Sequence, residues 1–393
     1  MSSTVAVPVR AGNRTGLLTL LFAGFVLTGI PTVIIGPILP LFISRWSLND
    51  SQAGLFFTVQ FAASLCGVWV TTWLTSWRGY RPGLVLGYVL TGIGLAFLNA
   101  PTHAVALAAT AAFGLGYGIV VPPTNLSAAE TGGKRSAGLV SLLNFAWGIG
   151  AVACSPLIML AVHHQFLPGF LFTVAFCAVA LAAAFLFVLF PADKHADSTG
   201  SASAPAAIPA LAITVAVAAL FFIYVGTETS IGGWSAAHVK RLAAHGANLA
   251  TIAPMFFYAG LMTGRGLAPL VLRQFRERQV VLAALVLAML GTIIVITAAS
   301  QRIAIGGFVI AGLGCASVYP IYISWFSKWY GAAARRLGGV VFSMASLGGS
   351  AMPWLVGFTS MKAASLRVGL LVPLIGCFVM LGGLALLHRQ RLV

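Results

Sequence analysis

The stretch YVGTETSIGGW (224–234) follows the apolar run LAITVAVAALFFI (211–223) and contains one carboxylate, Glu228. The chain holds only six acidic residues in 393, so an acid in this setting asks for a function. A charge at the centre of a bilayer costs on the order of 2.5–3.5 kcal/mol on insertion scales, and such side chains usually face a cavity. Two chemistries are open to Glu228: binding the hydroxyls of a polar solute, or exchanging a proton. Tyr224 lies four residues earlier and so shares its helix face. Gly226, Gly232 and Gly233 flank the acid. Glycine weakens helix by about 1 kcal/mol relative to alanine, which predicts a helix able to bend at an outer gate.

Other polar residues sort around this one. Glu130 ends an apolar segment beside Lys134 and Arg135 and is expected to latch an inner gate, with Arg81 or a basic residue of the other half as partner. Arg265 has apolar neighbours on both sides; it either snorkels to the interface or reaches into the cavity. Gln60, Asn125 and Asn144 can donate and accept, as the hydroxyls of a polar solute require; the competing use is bonding between helices. Trp147 stands one turn from Asn144. Together with Tyr224, Trp325 and Trp354 it is a candidate ring for the apolar face of a solute, against core packing or an interfacial belt. Trp234 is a further ring of this kind. Asp50 is expected to cap its helix. Glu277, Asp193 and Asp197 fall among basic residues and read as solvated.

These residues need elements to hold them. Sixty per cent of the chain is hydrophobic and 7% charged, against about a quarter charged in soluble domains. Lipid must therefore be the solvent. The apolar runs are long and lack two-residue alternation, which selects helices over a barrel. Twelve spans are predicted, at roughly 15–45, 51–75, 81–100, 104–128, 134–163, 166–190, 209–240, 245–272, 277–298, 302–327, 334–362 and 365–389. Arg10 and Arg14 precede the first, which is too long for a signal peptide. PADKHADSTGSASAPAAI (191–208) reads as a cytoplasmic linker between an N-terminal bundle, 1–190, and a C-terminal bundle, 209–393. With both termini in the cytoplasm, sixteen of the 22 Lys and Arg fall on the inner side, a positive-inside bias. The basic excess is thus a topology signal and a contact for anionic lipid, not a nucleic-acid footprint. The five cysteines (Cys66, Cys154, Cys177, Cys315 and Cys377) lie in apolar segments without metal-ligand spacing and read as small core residues.

The halves look like copies. GLGYGIVVP (114–122) and GLGCASVYP (312–320) match at an offset of 198, and Gly138, Val140, Gly148 and Ala151 match Gly338, Val340, Gly348 and Ala351 at 200. Parallel repeats imply a central site between two bundles. At this point the chain resembles the major facilitator superfamily, an all-α membrane fold of twelve helices in two pseudo-symmetric bundles. Its loop signature between helices 2 and 3 is represented by TWLTSWRGYR (72–81), where Leu74, Gly79 and Arg81 fit and Ser76 replaces the acid. GRGLAPLVLRQFRER (264–278) is the second copy, with Leu272 for the acid. PPTNLSAAE (122–130), KRSAGLVSLLNFAWGIGA (134–151) and YVGTETSIGGW are similar to the sugar-transporting branch that includes the fucose–proton symporter. The resemblance implies an acid on helix 1 as one route of proton coupling; TGIPTVIIGPILP (28–40) has none.

Pro31, Pro37 and Pro40 in span 1, Pro122 and Pro123 in span 4, Pro254 in span 8, Pro320 in span 10 and Pro353 in span 11 are expected to interrupt helix bonding. No histidine pairs with an acid at ligand spacing or with a nucleophile, and no phosphate-binding loop is present, so enzyme readings and ATP-driven transport are disfavoured. The expectation is a secondary transporter, without cofactor or metal, moving a monosaccharide or similar small polar solute by alternating access, with Glu228 as the candidate proton carrier. A monomer in a bacterial inner membrane is expected. The alternatives are efflux of a drug or metabolite, uniport without an ion, and a sensor of the same fold.

Overall fold

The computed structural model describes residues 11–132, 136–188, 190, 211–242, 249–330 and 334–389; the linker at 191–208, with Asp193 and Asp197, lies outside them, as do Lys134 and Arg135. Fifteen helical pieces among these residues build twelve spans. Span 1 is divided into α1 (Ala11–Val33) and α2 (Ile35–Trp46). Spans 2 to 9 are α3 (Asp50–Arg78), α4 (Tyr80–Phe97), α5 (His103–Gly132), α6 (Ser136–His163), α7 (Leu167–Phe187), α8 (Leu211–Arg241), α9 (Ala253–Val271) and α10 (Glu277–Thr297). Span 10 is divided into α11 (Gln301–Ala316) and α12 (Val318–Tyr330). Span 11 is α13 (Ala334–Ala363), and span 12 is α14 (Leu366–Gly369) with α15 (Leu371–Arg389). Among the described residues, eleven spans are long and apolar enough to cross a membrane. The twelfth, α9, carries Arg265 and packs against α11, α6 and α8. Large apolar side chains such as Phe172, Phe176 and Phe187 are exposed, as a lipid-facing surface requires. Cys66 and Cys177 share that exposed surface; only Cys154, Cys315 and Cys377 are buried, so the core reading holds for three of the five.

Local chemistry sets the ends. Asn49 caps α3 through a reciprocal pair with Gln52, each side chain meeting the other's backbone N–H. Asp50 is therefore the first helical residue and not the cap that the sequence suggested. Gly79 turns α3 into α4 at φ 73°, a left-handed region where a side chain would be strained. Proline divides two spans. Pro37 has no N–H for the Val33 carbonyl, and the helix breaks at Ile34; Pro320 leaves the Ala316 carbonyl likewise, and the break falls at Ser317. Pro122, Pro123 and Pro353 sit in unbroken helices, and Pro254 begins α9, where a missing N–H is harmless. The helix of Glu228, α8, is also unbroken over 31 residues. Its glycines serve close packing instead of bending: Gly226 faces Met352, Gly232 faces Phe257 and Tyr258, and Gly233 faces Phe57.

The repeat is physical. A Cβ on Gly114 would run into the Gln60 carbonyl of α3, and one on Gly312 into the Phe257 carbonyl of α9. Gly150 meets the Val26 carbonyl of α1 as Gly348 meets the Phe222 carbonyl of α8. These equivalences hold one offset of 198 through both helices, so the register of 200 suggested for the second stretch is shifted by two.

We call the end where the charge count places the termini the inner end. The halves meet along α3–α13, α2–α8 and α6–α9, and the first two seams close toward the outer end. The Thr58 hydroxyl donates to the Ser350 carbonyl at 3.0 Å, and the Ser350 hydroxyl to that of Thr58 at 3.2 Å. Gly54 backs onto the main chain of Trp354. Lys240 donates to the Pro40 carbonyl at 3.2 Å. Asp50 receives two guanidinium nitrogens of Arg241, one at 2.9 Å, and the Ser360 hydroxyl. Inward, the α3–α13 contact continues to Phe61 against Gly349. Beyond it Trp73 and Trp77 on α3 and Val340 and Phe342 on α13 are exposed. The outer end is latched, and these polar contacts of the two seams lie toward it.

Candidate functional site

The Glu228 carboxylate lies 3.6 Å from Nη2 of Arg265, with side chains 15% and 27% exposed respectively. Two turns of α9 bring the guanidinium from the Tyr258 level to the acid. Across the junction, the Arg265 guanidinium sits over the ring of Trp147, 5.7 Å from its centroid, and Tyr258 meets that ring edge-on at 6.5 Å. Trp147 belongs to α6 and donates its indole N–H to Thr32 Oγ at 3.3 Å, next to the break in span 1. Both halves therefore contribute to one site. The Arg265 reading left open in the sequence resolves toward the cavity: it pairs inward with Glu228, and its Nε is buried with no partner.

Tyr224 holds the acid from its own helix. Its hydroxyl reaches both a Glu228 carboxylate oxygen and, at 2.9 Å, the carbonyl of Cys315. That carbonyl is near the break between α11 and α12, which also brings the Tyr319 ring to 5.7 Å from Tyr224. Tyr117 completes the shell from α5, beside Thr32 and within electrostatic range of Glu228 and Arg265.

The remaining candidates divide. Asn144 donates to Asn125 Oδ1 at 3.3 Å, one turn inward of Trp147, and each amide also bonds its own helix. Their pair stands at the inner approach to the site. Gln60 is committed elsewhere: it donates to the Thr32 carbonyl at 2.8 Å, a backbone group at the break in span 1. Trp354 stacks on Phe358 at the outer half of the α3–α13 seam. Trp325 donates its indole N–H to Glu277 at 2.7 Å, where Lys328 also binds at 2.7 Å. Glu277 is thus paired at the inner end of its own half instead of solvated, and Trp325 lies with it, away from the central pair. Trp234 is buried and donates to the Pro353 carbonyl. Glu130 accepts from Tyr80 at 2.5 Å, and Arg81 donates to the Val188 carbonyl at 2.7 Å; both bonds stay within the first half, and the two do not pair with each other.

Sequence reasoning missed the outer latch of Asp50, Arg241 and Ser360. It also missed Tyr117, Tyr258 and Tyr319, which no charge or periodicity marks out. The capping pattern N-D-S-Q at 49–52 was the available signal that Asp50 is free for other work.

Two helical halves that share one charged site between them and close toward the outer end are the architecture of a membrane transport protein. The chain belongs to the Major Facilitator Superfamily, whose family profile matches residues 21–301; it is a transporter and not an enzyme. It is 25% identical over 305 residues to an uncharacterized MFS-type transporter of Yersinia pestis, covering 76% of this chain and 77% of that one. In three dimensions it resembles a bacterial homologue of the human lysosomal transporter Spinster in an inward-facing, unoccupied conformation, with TM-score 0.77, 14% identity and coverage of 97% and 98%. The Escherichia coli fucose:proton symporter superimposes with TM-score 0.61, 16% identity and coverage of 94% and 98%.

Proposed function

We propose that this protein is a secondary transporter of a monosaccharide or a solute of similar size and polarity, coupled to protons through Glu228. The observation that carries the proton reading is the Tyr224 hydroxyl, which has one proton and two acceptors in reach, the Glu228 carboxylate and the Cys315 carbonyl. When Glu228 is ionised, Tyr224 serves one of the two, and the other keeps only its remaining partner, Arg265 for the carboxylate or the Ser317 N–H for the carbonyl. When Glu228 is protonated, it donates to Tyr224 and Tyr224 donates to Cys315, so every group is satisfied. The proton thus has a defined place, and its arrival loosens the carboxylate from Arg265.

A sugar-like solute suits the paired amides of Asn125 and Asn144 at the approach and the rings of Trp147, Tyr258 and Tyr319 around the charges. The likeness to the fucose:proton symporter supports the same reading. Asp50–Arg241 keeps the outer end closed. Glu130 and Arg81 stand at the inner mouth, positioned to act when that end closes. The distribution of Lys and Arg supports cytoplasmic termini; a monomer in a bacterial inner membrane is part of the same proposal.

Uptake of radiolabelled hexoses into proteoliposomes, with and without an inward proton gradient, tests the proposal. Accumulation is expected only with the gradient. Uptake indifferent to the gradient leaves a uniporter. Absence of hexose uptake or competition, with export of a lipophilic cation, removes the sugar reading.

A further inference from the structure

Charge balance constrains what the site can carry. Asp50 lies at the outer latch, and Glu130 and Glu277 lie at the inner ends of their helices. Among the described residues, Glu228 is the one carboxylate and Arg265 the one guanidinium set between those levels; the buried imidazole of His238 lies one turn from Arg241, on the Val295 carbonyl. The groups facing Glu228 are Arg265 and Tyr258 from α9, Tyr224 from α8, Cys315 from α11, Tyr319 from α12 and Tyr117 from α5. None is a second carboxylate. With Glu228 ionised the pair is neutral. With Glu228 protonated, the guanidinium keeps the Trp147 ring and the Tyr224 hydroxyl beside it but has no counter-charge, and its Nε already lacks a partner. Alternating access passes through a state shut to water on both sides, where an unpaired charge is strongly disfavoured. A neutral sugar supplies hydroxyls but leaves that charge uncompensated. A carboxylate of the same size supplies both, and a guanidinium binds it through two parallel N–H bonds.

We propose that the substrate is a monocarboxylate sugar acid, or a comparably hydroxylated monoanion, whose carboxylate replaces Glu228 on Arg265 when Glu228 takes up a proton. This rests on the proton reading given above. Two shut forms are neutral: empty with Glu228 ionised, and loaded with Glu228 protonated. Proton alone and anion alone each leave one net charge. The two therefore cross together, the empty carrier returns freely, and each cycle moves no net charge. Proton-coupled transport of a neutral sugar moves one positive charge per cycle instead.

The test uses the reconstituted full chain with radiolabelled D-gluconate and D-glucuronate, and D-glucose as the neutral comparator. A pH gradient and a valinomycin-set potassium potential are imposed separately. Expected is accumulation of a sugar acid by about tenfold per pH unit of gradient, the limit for one proton per anion, with no response to the potential. Glu228→Gln should bind the sugar acid and exchange it without accumulation. Arg265→Gln should lose that binding at least about tenfold, and Arg265→Lys should retain part of it; equal melting temperatures and monodisperse elution exclude misfolding. If glucose accumulates with the gradient and with inward current while neither acid binds or competes, the proposal is overturned and the proton–sugar reading stands. If neither acid nor hexose is taken up, both are overturned.

Discussion

Replacing Asp50 with Asn should shift the protein toward its outward-open state. In the structure Asp50 is 10% exposed at its side chain and holds Arg241, which is 41% exposed, together with the hydroxyl of Ser360. Hydrogen bonds to a charged group contribute about 1.5–3 kcal/mol each when buried. Arg241 is wet enough that its share must be discounted for screening. Asp50 also begins α3, where a negative charge gains a few tenths of a kcal/mol to about 1 kcal/mol from the helix dipole in either state, so that part cancels between states. About 1–2 kcal/mol remains specific to the closed outer end, a factor of about 5–30 in the ratio of inward- to outward-open molecules. Spin labels at Thr102 and Arg302, exposed residues at the outer ends of the two halves, report the separation by double electron–electron resonance. The long-distance population should grow in Asp50→Asn, and Arg241→Gln added to it should change little more, because the two residues share one interaction. An unchanged distance distribution, or fully additive effects, would refute the assignment of Asp50–Arg241 as the outer latch.

Glu228→Gln should preserve solute exchange between equal concentrations while abolishing gradient-driven accumulation, measured by counterflow and uptake in the same liposomes. Gly348→Val should destabilise the protein by about 1–3 kcal/mol, read as a lower melting temperature in detergent, because its side chain collides with the Phe222 carbonyl. Gln60→Leu leaves the Thr32 carbonyl without its donor at the break in span 1; a loss of about 1–3 kcal/mol is expected, visible in the same melt. Glu277→Gln should change transport less than twofold and stability by under about 1 kcal/mol, since its Lys328 partner is 60% exposed.

Hydropathy carried most of the architecture. Twelve runs follow from the cost of placing charge and open backbone in lipid, and each emerges as helix, three of them in two pieces. The glycine matches in spans 4 and 10 were legible because close helix approach excludes any larger residue. The roles of polar side chains were less so. Asp50 and Arg241 are separated by 191 positions, and Trp325 and Glu277 by 48; no local pattern announces such partners. Tyr117, Tyr258 and Tyr319 look like any aromatic residue of an apolar helix until the breaks and crossings bring their hydroxyls to one place. Glu228 was the exception, because an acid in that run is costly enough to signal itself. The expected bend beside it was wrong for a physical reason: tight packing on Met352, Phe257 and Phe57 uses the same glycines that flexibility would.

The break at Ile34 has a mechanical result. By sequence α2 belongs to the first half, yet it lies against α8 of the second, while α1 lies against α6 and α5. The rigid bodies of the switching motion need not coincide with the two gene-level copies. A short outer rod hinged on proline can ride with the opposing bundle while the rest of its span stays home, so the outer seal and the large rocking movement are separable, and a substitution at the hinge can leak without stalling transport.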